Sequence, residues 1–238
     1  MKMRVPAHIV DSNAVAVKLM QQGDLARSLR LIRTTLVDLN QIVPNEEIVQ
    51  SLQDGVIATT PAMGNDVIDC VSVSIDSQTL SNAHNGAFHF FNRALVLDST
   101  RAAVGEASHV DIDQYKISAI LLYNAGVCTH IKGIKSGASG DLATALLFYQ
   151  NAFSLLTQTN AIQAVSDRYT LLVMALLNNM GYIKCQSCDH QACEICLDTM
   201  RRIFPSAEHA RLQETDMLFF YLTTFLVPVE HLCASPAA

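Results

Sequence analysis

The residues best suited by type and spacing to do chemistry are four cysteines. Cys185-x-x-Cys188 and Cys193-x-x-Cys196 are separated by four residues, with His190 between them. Two such pairs suit zinc because each can clip one side of a tetrahedral thiolate site. Common zinc modules, however, separate their pairs by about 15–20 residues. The sequence is therefore read first as packed thiols, with zinc or redox chemistry at Cys185, Cys188, Cys193 and Cys196 as the alternative. No other constellation suggests catalysis. The eight histidines are scattered, and His130, His190 and His209 have no pairing that suggests a triad. Glu46-Glu47 and Asp111-Ile-Asp113 fall in loop-like sequence. Gly137-Ala-Ser-Gly140 lacks the Gly-Lys-Ser/Thr ending of a phosphate cradle. Phe88, Phe90 and Phe91 have only Arg93 nearby as positive charge, so they read as hairpin core and not as a nucleic-acid platform. No enzyme is expected.

The elements that must position these residues are mostly helices. Val15 and Leu19 share a face of a first helix, Gln22-Gly-Asp24 makes a turn, and Asp24 can cap the next helix. Leu25, Leu29, Ile32, Leu36, Leu39 and Val43 then recur at steps of three and four, up to Pro44. From Asn45 to about Asp113 the period changes. Asn45–Glu47, Gly55, Pro61 and Gly64 read as linker, and Arg101–Asp113 as loop. Between them Val71-Ser-Val-Ser-Ile75 alternates strictly, and Phe88–Leu97 follows the turn-like Ser81–Gly86; the spacing predicts a β-hairpin packed on the helices. From Gln114 the period is helical throughout: 114–132, a connector ending in Asp141 as N-cap, 141–157, 161–185, 190–204 stopping at Pro205, and a last helix capped by Thr215 or Asp216 and ending before Pro228.

Composition agrees with a folded, charge-poor chain. Of 238 residues, 50% are hydrophobic and only 16% charged, against about 25% in an average soluble domain. The net charge of −6 argues against a basic nucleic-acid surface, and the hydrophobicity against disorder. The longest uncharged run, Leu142–Ser166, carries too many amides for a membrane span. No signal-peptide pattern opens the sequence, and the seven cysteines are read as reduced thiols. A cytoplasmic protein is expected, with the nucleus left open.

Two segments repeat. Tyr123-Asn-Ala-Gly126 and Asn178-Asn-Met-Gly181 both set Asn two residues before Gly on an apolar helix, a Gly that allows close approach of a small neighbour. The second unit continues through Leu177, Met180, Gly181, Cys193, Leu197, Met200 and Pro205, with Lys184 where an aromatic would be usual. The first continues through Leu122, Ala125, Gly126, Ala145, Tyr149 and Ala152, with seven residues inserted in its turn. A third match rests on Ala16 and Gly23-Asp24. The pattern resembles the tetratricopeptide repeat (TPR), a helix–turn–helix of about 34 residues. Phe91-Asn-Arg-Ala-Leu, the two Asn-x-Gly segments and the Ser-Pro-Ala-Ala end also resemble an uncharacterised TPR-like family numerous in diatoms, which implies no known activity.

The resemblance implies a mostly α, TPR-like alpha-alpha superhelix of antiparallel helix pairs with a short β-hairpin insertion. It would form one domain over 1–238: a first pair at 7–44, the insertion at 45–113, two pairs at 114–205, and a capping helix at 206–233. It implies a non-enzymatic interaction module that takes a peptide or helix in a concave groove. By residue matching the groove positions are Tyr123, Val127 and His130, with Asn178, Tyr182 and Cys185, and more weakly Asn13, Val17 and Met20. No Lys or Arg is among them, so a chaperone's carboxylate tail is not the expected ligand. The expected partner is a protein or peptide, with no nucleic acid, no membrane span and no cofactor; a homo-oligomer is left open.

Overall fold

The computed structural model describes residues 6–42, 69–75, 84–85, 88–98, 114–158, 169–207 and 212–226. The linker at 45–68, the loop at 101–113, the start of the helix expected at 161 and the C-terminal tail lie outside them, as do His209, Glu46, Glu47, Asp111 and Asp113. The described chain is mostly helical with a small antiparallel sheet. Its helices are α1 (Ala7–Gln21), α2 (Leu25–Ile42), α3 (Gln114–Ser136), α4 (Ser139–Gln158), α5 (Thr170–Gln186), α6 (His190–Ala207) and α7 (Glu214–Tyr221), the last running into a π-helical turn at Leu222–Leu226. The strands are β1 (Asp69–Ser74), β2 (His84–Asn85), β3 (Phe88–His89) and β4 (Arg93–Asp98).

Three helix pairs, α1/α2, α3/α4 and α5/α6, follow one another, with α2 against α3 and α4 against α5. One turn geometry joins each pair. Two residues before the second helix the backbone enters the left-handed region: Gly23 at φ +79°, Gly137 at +67°, Cys188 at +57°. Asp24 and Asp189 then accept a hydrogen bond from the third residue on, Arg27 N at 3.2 Å and Ala192 N at 3.2 Å, and so cap α2 and α6. Glycine removes the Cβ penalty of that conformation, and Cys188 bears it.

The strand pairing follows the alternation. β1 pairs antiparallel with β4 from Asp69↔Asp98 to Ser74↔Arg93, while β2 and β3 form a separate two-residue ladder. The alternation fails at one place in β1: Val71 is exposed and Ser72 is buried, whereas Val73 packs against the core, Ser74 is exposed and Ile75 beyond the strand is buried. Ser72 turns inward because its hydroxyl donates to the buried Asp216 carboxylate on α7. That contact also corrects the capping role. Asp216 lies inside α7, whose N-cap is Gln213, and it meets Arg93 Nε at 3.2 Å.

Other boundaries shift for local reasons. α4 starts at Ser139, so Asp141 sits in its first turn, where it faces the helix dipole and pairs with Lys132 at 2.9 Å. α6 continues past Pro205 to Ala207, so the proline does not stop the helix. α3 is the one described helix long and apolar enough to cross a membrane by composition; 89% of its apolar window is buried inside the fold, as in a core helix.

Candidate functional site

The first helices of the three pairs, α1, α3 and α5, share a face, and the chain's own residues 88–98 lie along it. β4 packs on α1 and α3, and β3 on α5. Along an extended chain, alternate residues turn their N–H and C=O to the same edge. Here the edge of residues 89, 91, 93 and 95 turned away from β1 meets side chains instead of another strand. Asn178 Nδ2 donates to His89 O at 2.8 Å. Asn179 Oδ1 accepts from Phe91 N at 3.0 Å, and its Nδ2 donates to Phe91 O at 3.2 Å. The Tyr123 hydroxyl donates to Arg93 O at 2.8 Å. Asn124 grips Leu95 on both sides, accepting from N at 2.9 Å and donating to O at 2.8 Å. Asn13 Nδ2 adds a second donor to Leu95 O at 3.1 Å and receives Asn124 Nδ2 on its own Oδ1 at 2.9 Å.

Asparagine is the residue this task requires. Its carbonyl and amide groups project side by side, so one side chain completes both main-chain partners of a strand residue. Buried main-chain polar groups must be paired, and four amides and a phenol do here what a neighbouring strand would do. The contacts also fix which end of each amide is oxygen. Asn124 and Asn179 stand two residues before Gly126 and Gly181. Asn13, Tyr123 and Asn178 stand three before Ala16, Gly126 and Gly181. The repeat in sequence is thus a repeat in grip.

The glycines seat rings, not small residues. A Cβ on Gly181 would overlap the ring of Phe88, and one on Gly126 the ring of Tyr149. The expectation of small partners is therefore corrected. Gly181 keeps Cys193 nearby, at 3.5 Å from Sγ to its carbonyl, but its close approach serves the β insertion. Phe90 lies on His130, ring centroids 4.1 Å apart, with Tyr182 at 6.0 Å. His130 Nδ1 is 3.3 Å from the Tyr149 hydroxyl, which also receives Asn179 Nδ2 at 3.3 Å. Burial lowers the His130 pKa to about 3, so the ring is neutral. Burial first, and the Asp216 charge second, raise Tyr123 above its ordinary value; burial raises Tyr149 likewise.

The segment is held from the other side by α7. Phe91 packs between Phe219 and Phe220, at 5.0 and 4.8 Å. Arg93 reaches Asp216, the Thr215 hydroxyl at 3.2 Å and Gln213 Oε1 at 2.9 Å. Burial raises the Asp216 pKa despite the opposing Ser72 and Arg93 contacts.

Compared with known proteins, the chain matches no family model, no curated sequence and no solved structure.

Five of the six principal groove positions, Tyr123, Val127, His130, Asn178 and Tyr182, are buried, and Cys185 is half-buried. Tyr123, His130, Asn178 and Tyr182 touch residues 89–93 directly. Of the weaker set, Asn13 joins the ladder, and Val17 and Met20 are buried on α1. Sequence reasoning missed Asn124 and Asn179 as binding residues and missed Arg93 and Asp216 as a pair. A recurring amide on an otherwise apolar helix was the available signal, since a buried amide demands partners. Among the described residues, no group of three or more His, Cys, Asp or Glu is placed to hold a metal, so the four cysteines do not converge as a zinc site.

Proposed function

We propose that the three pairs form a TPR-like superhelix acting as a non-enzymatic protein-interaction module, whose concave face reads the main chain of an extended peptide. Residues 88–98 are its resident peptide, and a protein partner enters by taking their place. The observation that carries this reading is the ladder on α1, α3 and α5, spent almost wholly on main-chain atoms of a sequence-distant extended segment. Such contacts accept any extended chain, while the apolar seats select its side chains. Gly181 takes one ring, and His130 with Tyr182 takes another two residues on. The fitting partner is an extended segment with aromatic residues two apart and a basic residue three beyond the second, in the place of Arg93 at Asp216. Release of the resident exposes apolar side chains, but it returns the conformational entropy of about ten ordered residues.

The test uses a labelled synthetic peptide of residues 87–98 and the full chain carrying Phe90→Ala. That change weakens the resident and leaves the helices intact. Truncating a buried Phe costs about 3–5 kcal/mol. At about 1.4 kcal/mol per decade, the peptide should bind the variant roughly 10²- to 4 × 10³-fold more tightly than the unaltered chain. Absence of saturable binding to a Phe90→Ala protein with native circular dichroism sinks the reading. Phe90→Leu, a milder truncation, replaces it if Phe90→Ala does not fold, with tighter binding than the unaltered chain still required.

A further inference from the structure

The cysteines that do not converge on a metal do form one close pair. Cys193 Sγ lies 3.5 Å from Gly181 O. Gly181 is one helical turn before Cys185, and a helical side chain leans back over the preceding turn, which brings the Cys185 thiol to the same spot. Both thiols therefore lie over the Gly181 carbonyl, and the Cys185 thiol is near enough to act on the titration of Cys193. Their settings differ. Cys193 is fully buried on α6 and Cys185 is half-buried near the end of α5, where an oxidant can reach it; Cys188 is exposed in the turn, and Cys196 is buried one turn further along α6. Burial first, then the neighbouring Cys185, push the Cys193 thiol up to about 12, so Cys193 remains protonated until it reacts.

We propose that Cys185 and Cys193 are an oxidation site, a dithiol that hydrogen peroxide or an organic hydroperoxide converts to an intramolecular disulfide joining the end of α5 to the first turns of α6. The Cys185 thiolate attacks one peroxide oxygen and the O–O bond breaks. The departing hydroxide takes up the proton released from the Cys185 thiol and leaves as water, and Cys185 becomes a sulfenic acid. The Cys193 sulfur then attacks the Cys185 sulfur; the S–O bond breaks, and the Cys193 proton leaves with that hydroxide as a second water. The two sulfurs together lose two electrons, which reduce one peroxide. A thiol reductant such as glutathione reverses the step through a mixed disulfide. The pair borders the proposed binding face through Tyr182, on the same helix end, but the oxidation does not depend on peptide binding there.

The experiment treats the native full-length protein with dilute hydrogen peroxide, alkylates remaining thiols under denaturing conditions, and maps linkages by mass spectrometry of a non-reducing digest. The expected result is a Cys185–Cys193 cross-linked peptide, loss of both alkylation sites, and full reversal by dithiothreitol. Cys188→Ser retains the cross-link, and Cys193→Ser loses it. A Cys185–Cys188 linkage, a dimer joined through Cys185, or Cys185 carried to sulfinic acid with Cys193 still alkylated would each overturn the proposal. Because the unaltered protein's map is decisive by itself, misfolding of a variant does not rescue it.

Discussion

Replacing Asn124 with Ala should be among the most damaging single changes in the protein. Asn124 is fully buried and serves three partners: Leu95 N, Leu95 O and Asn13 Oδ1. Alanine leaves Leu95 O with its bond from Asn13, but strands the Leu95 N–H and Asn13 Oδ1. Each stranded buried polar group costs about 1–3 kcal/mol, so the loss is about 2–6 kcal/mol. For a protein whose total stability is about 5–15 kcal/mol, that is a large fraction. Asn178→Ala is the internal comparison. It removes one bond to His89 O and one to Asn179 Oδ1, and Asn179 Oδ1 keeps the Phe91 N–H. Its cost should be about 1–3 kcal/mol, clearly the smaller of the two. Urea unfolding followed by circular dichroism measures both, with an unchanged slope expected. A loss below about 1 kcal/mol for Asn124→Ala, or equal losses for the two variants, refutes the ladder as an energetic unit.

Three further outcomes follow from individual contacts. Gly181→Ala drives a methyl into the Phe88 ring and should cost about 1–3 kcal/mol, and adding Phe88→Ala should recover part of it; additive losses in urea unfolding would contradict that contact. His130 is neutral in the fold with its pKa lowered to about 3, whereas the unfolded ring titrates near 6.5. Its contribution is complete above about pH 6.5 and is lost as pH falls toward 3, about 2 kcal/mol of it between pH 7 and 5. His130→Gln should flatten the stability curve by that amount, and parallel curves for the two proteins would argue against a buried neutral imidazole. Cys188→Gly relieves a left-handed φ of +57° at an exposed turn. It should leave stability unchanged or raise the melting temperature, since about 1–2 kcal/mol of Cβ strain outweighs about 1 kcal/mol of glycine entropy; a clear fall in melting temperature would contradict that.

How much could be seen beforehand depended on range along the chain. The Gly23-Asp24 turn, the α2 stripe and the pairing of residues near 71–75 with those near 93–97 are local patterns, and all are present. The Asn-x-Gly repeats marked the right faces of α3 and α5. What lies on those faces was not legible, because Asn179 meets Phe91 88 residues away and Ser72 meets Asp216 across 144. No period encodes such a contact. Ser72 misled for the same reason: its polarity suggested solvent, and a buried carboxylate from the far end of the chain supplied the partner. The cysteines read first as packed thiols with zinc as the alternative, and among the described residues no group of three or more of them is placed to hold a metal.

If the helices bind peptide as proposed, residues 88–98 are a ligand of the helices rather than part of their framework. Native-state hydrogen exchange at low urea, resolved to peptides covering 89–97 and helices α1, α3 and α5, addresses it directly. The Phe91 and Leu95 amides should exchange through a local opening of lower free energy than that of the helices, and the helices should stay protected while the segment opens. Exchange of the segment and the three helices together, at one global free energy, would contradict it.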